Sequence, residues 1–439
     1  MVKNKKIPNG WERVKTDLIG NLLRGISYKK GDAINEPQEG YLPILRANNI
    51  NGELNFSDLV YVPKKYIEDF QIIKAGDIVF AMSSGSKHLV GKSAVAKNDF
   101  DGSYGAFCSL LRINDLINKK YIAYIFKGNS YRKLISEIAK GTNINNLKRE
   151  HILDFEISLP PLHEQNRIVA KIEELFSSLD KGIESLKTAQ QQLKVYRQSV
   201  LKWAFEGKLT CTKDIKWLKL GEFCDDVEYG SAAKSKKQGK IPVLRMGNIQ
   251  GGRFDWSDLV YTDNDDEIKK YSLVKDDVLF NRTNSSELVG KTALYKAERP
   301  AIFAGYLIRI KYKKDKIDPN YLNYYLNSHT AKNYGNSVKT FGVNQANING
   351  TKLKGYPFPY IIISEQKRIV AEIESRLSVC DKIEESIEES LKQAEALRQS
   401  ILKKAFEGKL VPQDPNDEPA SKLLERIKAE KEKNKKVKR

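Results

Sequence analysis

Residues Arg197 to Leu209 read RQSVLKWAFEGKL, and residues Arg398 to Leu410 read RQSILKKAFEGKL. Eleven of these 13 positions are identical, at an offset of 201 residues in a chain of 439. Just upstream, EQNRIVAKIE at Glu164 to Glu173 returns as EQKRIVAEIE at Glu365 to Glu374, again 201 apart. Weaker echoes reach further back. Pro43-Ile44-Leu45-Arg46 with Asn49-Ile50 answers Pro242-Val243-Leu244-Arg245 with Asn248-Ile249, and Ser57 to Tyr61, SDLVY, recurs at Ser257 to Tyr261. Asp77-Ile78-Val79-Phe80 and Leu89-Val90-Gly91-Lys92 return as Asp277-Val278-Leu279-Phe280 and Leu288-Val289-Gly290-Lys291. The chain is a duplication in which one part of each repeat performs the same task twice and the rest has diverged. Two such modules can be related by an approximate two-fold axis, a single-chain version of a symmetric dimer suited to a partner with two halves.

The nearly unchanged part is helical. Ile168, Ile172, Leu175, Leu179, Gly182, Leu186, Ala189, Leu193, Tyr196, Val200 and Trp203 step by fours and threes, a heptad seam about five heptads long. The second copy keeps Ile369, Ile373, Cys380, Ile383, Ile387, Ala394, Leu397 and Ile401. It breaks the seam at Arg376, Ser390 and Lys404, so its packing is looser or uses Leu377 and Leu391. The spacing predicts two helices of roughly 40 residues, each about 60 Å long, paired with one another. The residues expected to pair are Ile168, Ile172, Leu175, Leu179, Leu186 and Leu193 with Ile369, Ile373, Ile383, Ile387, Leu397 and Ile401.

The diverged parts read as mixed α/β. Strands are expected at Tyr41 to Arg46, Asp77 to Ala81, Phe107 to Ile113 and Phe155 to Leu159. Their counterparts are Lys240 to Arg245, Asp277 to Phe280, Phe303 to Ile310 and Tyr356 to Ile363, with turn residues between them. Asp318-Pro319 is an N-cap and first-turn pair opening a helix through Tyr321 to Leu326, with Tyr121 to Phe126 as its partner in the first half. After Leu410 the copies differ, and the basic tail to Arg439 is expected to be a frayed, solvated helix from about Ala420.

Seventy-five Lys and Arg against 56 Asp and Glu leave a net charge of +19, which argues for a polyanionic partner, nucleic acid before membrane. The amino terminus has no apolar run and no stretch approaches 18 apolar residues, so neither a secretory signal nor a membrane span is expected, and the cytoplasm is the default location. Cys108, Cys211, Cys224 and Cys380 form no Cys-x-x-Cys pair, and His88, His151, His163 and His329 show no metal-ligand spacing. Gly91-Lys92-Ser93 and Gly290-Lys291-Thr292 resemble the end of a phosphate-binding loop, but Ser86 and Ser285 stand where its first glycine belongs. No nucleophile elbow, dinucleotide loop, amino-methyltransferase motif or nuclease constellation is visible. A basic, duplicated chain without a catalytic signature reads as a binder, and neither a cofactor nor a metal is expected.

Three features carry a resemblance to a known family. Leu159-Pro160-Pro161-Leu162-His163-Glu164-Gln165 with Arg167-Ile168-Val169 opens the helix, and Ala204 to Leu209 and Ala405 to Leu410 close the two copies. Gln413-Asp414-Pro415 through Asp417-Glu418-Pro419-Ala420 supplies the third. With the duplication, the chain resembles the specificity subunit of type I restriction–modification systems. It departs at the second helix opening, where Tyr360-Ile361-Ile362-Ile363-Ser364 replaces the Leu-Pro-Pro-Leu run.

The resemblance implies two duplicated mixed α/β target recognition domains separated by two long helices paired as an antiparallel coiled coil. The division would be a first recognition domain at 1–161, a first helix at 162–209, a second recognition domain at 210–362, a second helix at 363–410 and a tail at 411–439. It further implies that the chain reads a bipartite, asymmetric sequence in double-stranded DNA and catalyses nothing itself. Two DNA methyltransferase subunits and two restriction–translocase subunits would be its partners, with helix length setting the spacer between half-sites. Phosphates need Lys or Arg, and base edges need Arg, Asn, Gln, Ser or Thr. On that basis the candidate DNA contacts are Lys29, Lys30, Ser83, Ser84, Lys87 and Asn145 in the first domain. In the second they are Lys234, Lys236, Lys237, Arg282, Asn284 and Gln345. Arg46 and Arg245, kept in both copies, are expected to hold the fold or a phosphate. The alternative reading is a duplicated coiled-coil adaptor without sequence-specific DNA recognition.

Overall fold

Ile78 to Ala81 is a short apolar run whose four residues are all buried, as a strand covered on both faces requires. It lies inside a four-stranded antiparallel sheet ordered Gly20–Arg24, Cys108–Ile113, Ile78–Ala81, Ser93–Val95. Ile78 and Phe80 join a core with the surrounding helices, while Val79 and Ala81 join a second core behind the sheet. A three-stranded sheet, Val60–Pro63, Tyr41–Leu45 and Ser103–Tyr104, accompanies it, and Glu12–Lys15 pairs with Glu156–Leu159. The computed structural model describes residues 7–83, 90–141, 146–343 and 345–437.

These elements belong to the first of two compact units, which comprises Met1–Glu184 with Ser390–Arg439; the second is Ser185–Glu389. The second repeats the plan. Its four-stranded sheet runs Cys224–Tyr229, Leu307–Tyr312, Val278–Asn281, Thr292–Leu294, and its three-stranded sheet Val260–Thr262, Ile241–Leu244, Ile302–Phe303. Lys216–Lys219 pairs with Pro357–Tyr360. The single strand expected at Phe303 to Ile310 is two strands. Ile302–Phe303 pairs in parallel with Ile241–Leu244, the chain turns through Gly305, and Leu307–Tyr312 joins the other sheet. An apolar run alone does not show that its residues serve two sheets.

Two helices of 44 residues each, Leu162–Phe205 and Ile363–Phe406, span about 66 Å. The division into compact units falls inside both helices rather than at their ends. Unit one holds the start of the first helix and the end of the second; unit two holds the reverse. The repeated residues explain why. At each helix start a fully buried glutamine clamps its own repeat: Gln165 Oε1 accepts from the Asn118 N–H at 3.0 Å, and Gln366 Oε1 from the Asp318 N–H at 2.9 Å. Asn118 and Asp318 are the N-caps of Lys119–Lys127 and Pro319–Leu326. At each helix end the AFEGKL phenylalanine enters the other repeat. Phe205 meets Tyr321 at 5.2 Å, and Phe406 meets Tyr121 at 5.7 Å, between ring centroids. Gly207 and Gly408 then stop the helices at φ +75° and +68°. Lys208 N–H donates to the Trp203 carbonyl and Lys409 N–H to the Lys404 carbonyl, the Schellman termination that favours glycine.

Ion pairs fix the register within each unit. Arg197 Nη2 lies 2.7 Å from Asp381 and 2.9 Å from Glu384 in unit two, and Arg398 pairs with Asp180 in unit one. Arg197 and Arg398 are equivalent residues, as are Asp180 and Asp381. The same arginine-to-aspartate pair between the two helices thus forms once in each unit.

The seam differs from the expected one in half of its positions. One column runs Ile172, Leu179, Leu186, Leu193, Val200 and Ile373, Cys380, Ile387, Ala394, Ile401, all buried or half-buried. The other lies one residue beyond the expected column, at Phe176, Ile183, Gln190, Arg197, Ala204 and Leu377, Glu384, Leu391, Arg398, Ala405. Ile383 and Leu397 are therefore 43% and 52% exposed and do not lie in the seam. Polar residues hide the true column from a hydrophobicity pattern, because Arg197 and Arg398 bury their stems and pair their heads. Leu175 is half-buried against unit one, and Ile168 and Ile369 are fully buried in the cores of units one and two.

The tail is also more ordered than a solvated helix. Ala420–Val437 buries Leu423, Leu424 and Ile427 in the core of unit one, and Ala420 is fully buried beside them in sequence. Asp417 pairs with Arg167 at 2.6 Å, and the Ala420 N–H donates to the Gly10 carbonyl. The apolar residues at i, i+3, i+4 and i+7 form a docked face despite the basic end.

Gln366→Ala should lower the stability of unit two by about 1–3 kcal/mol, because it strands the Asp318 N–H and the Ile361 and Lys316 carbonyls. Urea denaturation followed by tyrosine fluorescence measures this, and a change below about 0.5 kcal/mol would contradict the clamp.

Candidate nucleic-acid interface

In each unit the strands of the four-stranded sheet end together. Arg24, Ala81 and Cys108 lie at one end in unit one, and Tyr229, Asn281 and Leu307 at the matching end in unit two. Three diverged stretches of chain meet there. The first leaves the edge strand and is braced by the bridges Ile26 to Gly105 and Ser231 to Ala304. The braces are close: a Cβ on Gly25 would lie 2.1 Å from the Gly105 carbonyl oxygen, and one on Gly230 would lie 2.4 Å from that of Phe303. The second leaves the central strand after Ala81 and Asn281. The third is the turn before Cys108 and Leu307.

The candidate contacts gather on these stretches. Lys29 and Lys30 are exposed on the first, three and four residues beyond Ile26, and Ser83 lies on the second, bridged to Asn146. Ser84, Lys87 and Asn145 lie outside the described residues. In unit two, Lys234, Lys236 and Lys237 are exposed on the first stretch, with Lys236 paired to Asp263 at 3.0 Å. Arg282 and Asn284 lie on the second; Asn284 belongs to a small sheet of Thr283–Asn284, Ala346–Asn347 and Thr340–Phe341, beside exposed Gln345.

Arg282 is the most firmly held of these. Its guanidinium lies 4.8 Å from the Tyr229 ring and its Nη1 donates to the Gly305 carbonyl at 3.3 Å. Its Nε is buried and has no hydrogen-bond partner among the described residues. Sequence reasoning missed the aromatic members of this end of the sheet, Phe107, Tyr229, Tyr306 and Phe341, all exposed. The available signal was an aromatic beside glycine in a turn, as in Gly105-Ala106-Phe107 and Gly305-Tyr306.

The residues shared by both copies build the scaffold. Arg46 and Arg245 pair through Nη2 with Asp58 and Asp258 at 3.3 and 3.1 Å, and Asn49 and Asn248 cap the same loops. Lys92 and Lys291, from the Gly-Lys turns, donate to the side chains of Asn51 and Gln250. Asp77 is held by Arg112 at 2.6 Å and Asp277 by Arg309 at 2.9 Å, so one acidic position is matched by an arginine from a different strand position in each unit. Among the described residues no cluster could hold a metal ion, and no helix is long and apolar enough to cross a membrane.

This paired arrangement is a known one. The family model of the type I restriction modification DNA specificity domain matches residues 8–194 and again residues 212–393. The chain belongs to this family. It is 37% identical over 445 residues to the type I restriction enzyme StySPI specificity subunit of Salmonella potsdam, covering 97% of this chain and 96% of that one. To the EcoKI specificity subunit of Escherichia coli K12 it is 36% identical over 452 residues, with the same coverage. Among solved structures, a chain from a study of complex assembly and conformational transition of the type I R-M system superposes with a TM-score of 0.71. That match covers 92% of this chain and 100% of the other, at 20% identity. The HsdS subunit of Thermoanaerobacter tengcongensis gives 0.54 over 93% and 99%, at 19% identity. These two share the fold.

In this specificity subunit the loop-bearing end of the unit-two sheet is tied to its scaffold through Glu228, next to Tyr229. Burial works to raise the Glu228 carboxyl, but hydrogen bonds and charge from Arg309 and Lys311 prevail and hold it below the usual carboxylate range. Its contribution to stability is therefore present above about pH 4.3, the unfolded value, and is lost as pH falls through the lower folded value. Glu228→Gln should lower stability at pH 7 and flatten its acid dependence between pH 5 and 3, as read from thermal midpoints; an unchanged acid slope would contradict this.

Proposed function

We propose that the two units read the two halves of a bipartite, asymmetric DNA target. The observation that carries this is the contrast between the two ends of each repeat. The helices keep the same clamps and ion pairs in both copies, while the loops at the matching end of each sheet have diverged. Equivalent scaffolds with different loop surfaces suit two different half-sites. The net charge of +19 supports a polyanionic ligand. In the proposed division, recognition domains at 1–161 and 210–362 alternate with spacer helices at 162–209 and 363–410 and a tail at 411–439.

The chain is a specificity subunit and carries no catalysis of its own. The relatives it matches along nearly all of its length are subunits of type I restriction enzymes. The proposed partners are two methyltransferase subunits and two restriction–translocase subunits, in the cytoplasm. The candidate DNA contacts remain Lys29, Lys30, Ser83, Ser84, Lys87 and Asn145, and Lys234, Lys236, Lys237, Arg282, Asn284 and Gln345. Among them Arg282 is best prepared for a base edge, since Tyr229 and Gly305 already fix its guanidinium. An adaptor that does not read DNA would need none of this divergence at one matched end.

The purified chain should methylate nothing, and addition of the cognate methyltransferase subunit should give adenine methylation at a two-part site; activity of the chain alone would contradict the proposal. Inserting one heptad after Glu184 and one after Glu385 adds about 10 Å to each helix, or about three base pairs of spacer. Methylome sequencing should then show the same half-sites with a longer gap; altered half-sites at the old gap would contradict a ruler.

A further inference from the structure

Phe107 and Tyr306 occupy the same turn. Each follows by three residues a position paired in parallel with the three-stranded sheet, Tyr104 against Leu45 and Phe303 against Leu244. Each carbonyl receives a backbone N–H from the chain just leaving the central strand: Met82 and Ser83 donate to Phe107, and Arg282 donates to Tyr306. The side chains are nonetheless 67% and 49% exposed. Their turns are anchored by the close backbone braces at Gly25 and Gly230, so the rings stand on a rigid mount. The neighbouring loops differ between the units, yet both present a large ring to solvent at this same braced turn.

The geometry points to Phe107 and Tyr306 as the apolar DNA contacts of the two half-sites, one ring for each unit, packing against base or sugar in the groove. This rests on the reading that the two units recognise duplex DNA. Duplex DNA is the occupant because the loops beside each ring carry the amides, hydroxyls and cations that read base edges and phosphates. Ser83 and Arg282 donate their backbone N–H groups to the Phe107 and Tyr306 carbonyls, Asn284 follows Arg282 by two residues, and Lys29 follows by three the Ile26 that is bridged to Gly105. An aromatic contact of this kind adds affinity without neutralising a phosphate, so it leaves the salt dependence of binding unchanged.

The test uses the complex of the full chain with its methyltransferase subunits and a duplex bearing the target found by sequencing methylated genomic DNA. Phe107→Ala and Tyr306→Ala should each weaken binding about 5- to 100-fold in a fluorescence anisotropy titration, at an unchanged slope of log K against log salt. Phe107→Tyr and Tyr306→Phe should bind like the parent. Scrambling the first half-site should abolish the effect of Phe107→Ala and leave that of Tyr306→Ala intact, and scrambling the second should do the reverse. Parental affinity in both alanine variants, a shallower salt slope, or loss of methyltransferase subunits from the complex would overturn the inference while a discriminating parent complex leaves DNA reading standing. A parent complex that binds cognate and fully scrambled duplexes alike would overturn both.

Discussion

The end of each long helix must find its pocket in the repeat it does not belong to. Phe205 lies 5.2 and 5.3 Å from the rings of Tyr321 and Tyr325 in unit two, and Phe406 packs on Tyr121 in unit one. Ala204 and Ala405, immediately before them, are fully buried, so the helix approaches closely before the glycine turns the chain away. Each unit therefore contains a helix start of its own and a helix end from the other repeat. Neither core is complete without the exchange. This requirement holds RQSxLKxAFEGKL nearly unchanged, since the arginine and the phenylalanine meet fixed partners in the opposite repeat, the alanine is fully buried, and the glycine ends its own helix at a positive φ.

Once the helix ends are exchanged, the rest is positioned by the glutamine clamps. Gln165 and Gln366 bind the first turns of Lys119–Lys127 and Pro319–Leu326 to the helix starts, and Tyr121 and Tyr321 from those turns reach the Ser158 and Pro359 carbonyls. These short helices cover the larger core of each four-stranded sheet. The loop-bearing ends of the sheets are thus referred to the long helices through a few buried polar contacts. The surface loops there are free to vary because none of those contacts passes through them.

Much of this was legible in the sequence, and the parts that were not have physical reasons. The repeat offset predicted two equivalent modules, and the central strands at Ile78 and Val278 follow from their apolar runs. The Asp318-Pro319 helix start follows from capping chemistry. The second seam column was hidden because Arg197, Glu384 and Arg398 occupy it with paired charges, where an apolar pattern chooses Ile383 and Leu397. The residues that make the exchange of helix ends were not legible from the repeat itself, because two nearly identical segments give no sign of which repeat each one enters. Phe107 and Tyr306 went unseen because both fall inside stretches expected as single strands, whereas the strands begin one residue later, at Cys108 and Leu307.

The central claim is that the second helix end completes the first unit. Hydrogen exchange of the full chain carrying Phe406→Ala tests it directly. The account predicts faster exchange in Lys119–Lys127 and Ile78–Ala81, which lie in unit one and are distant in sequence, with Pro319–Leu326 and Val278–Asn281 unchanged. Loss of protection confined to Pro319–Leu326 and Val278–Asn281, the elements of the repeat that Phe406 itself closes in sequence, would contradict it.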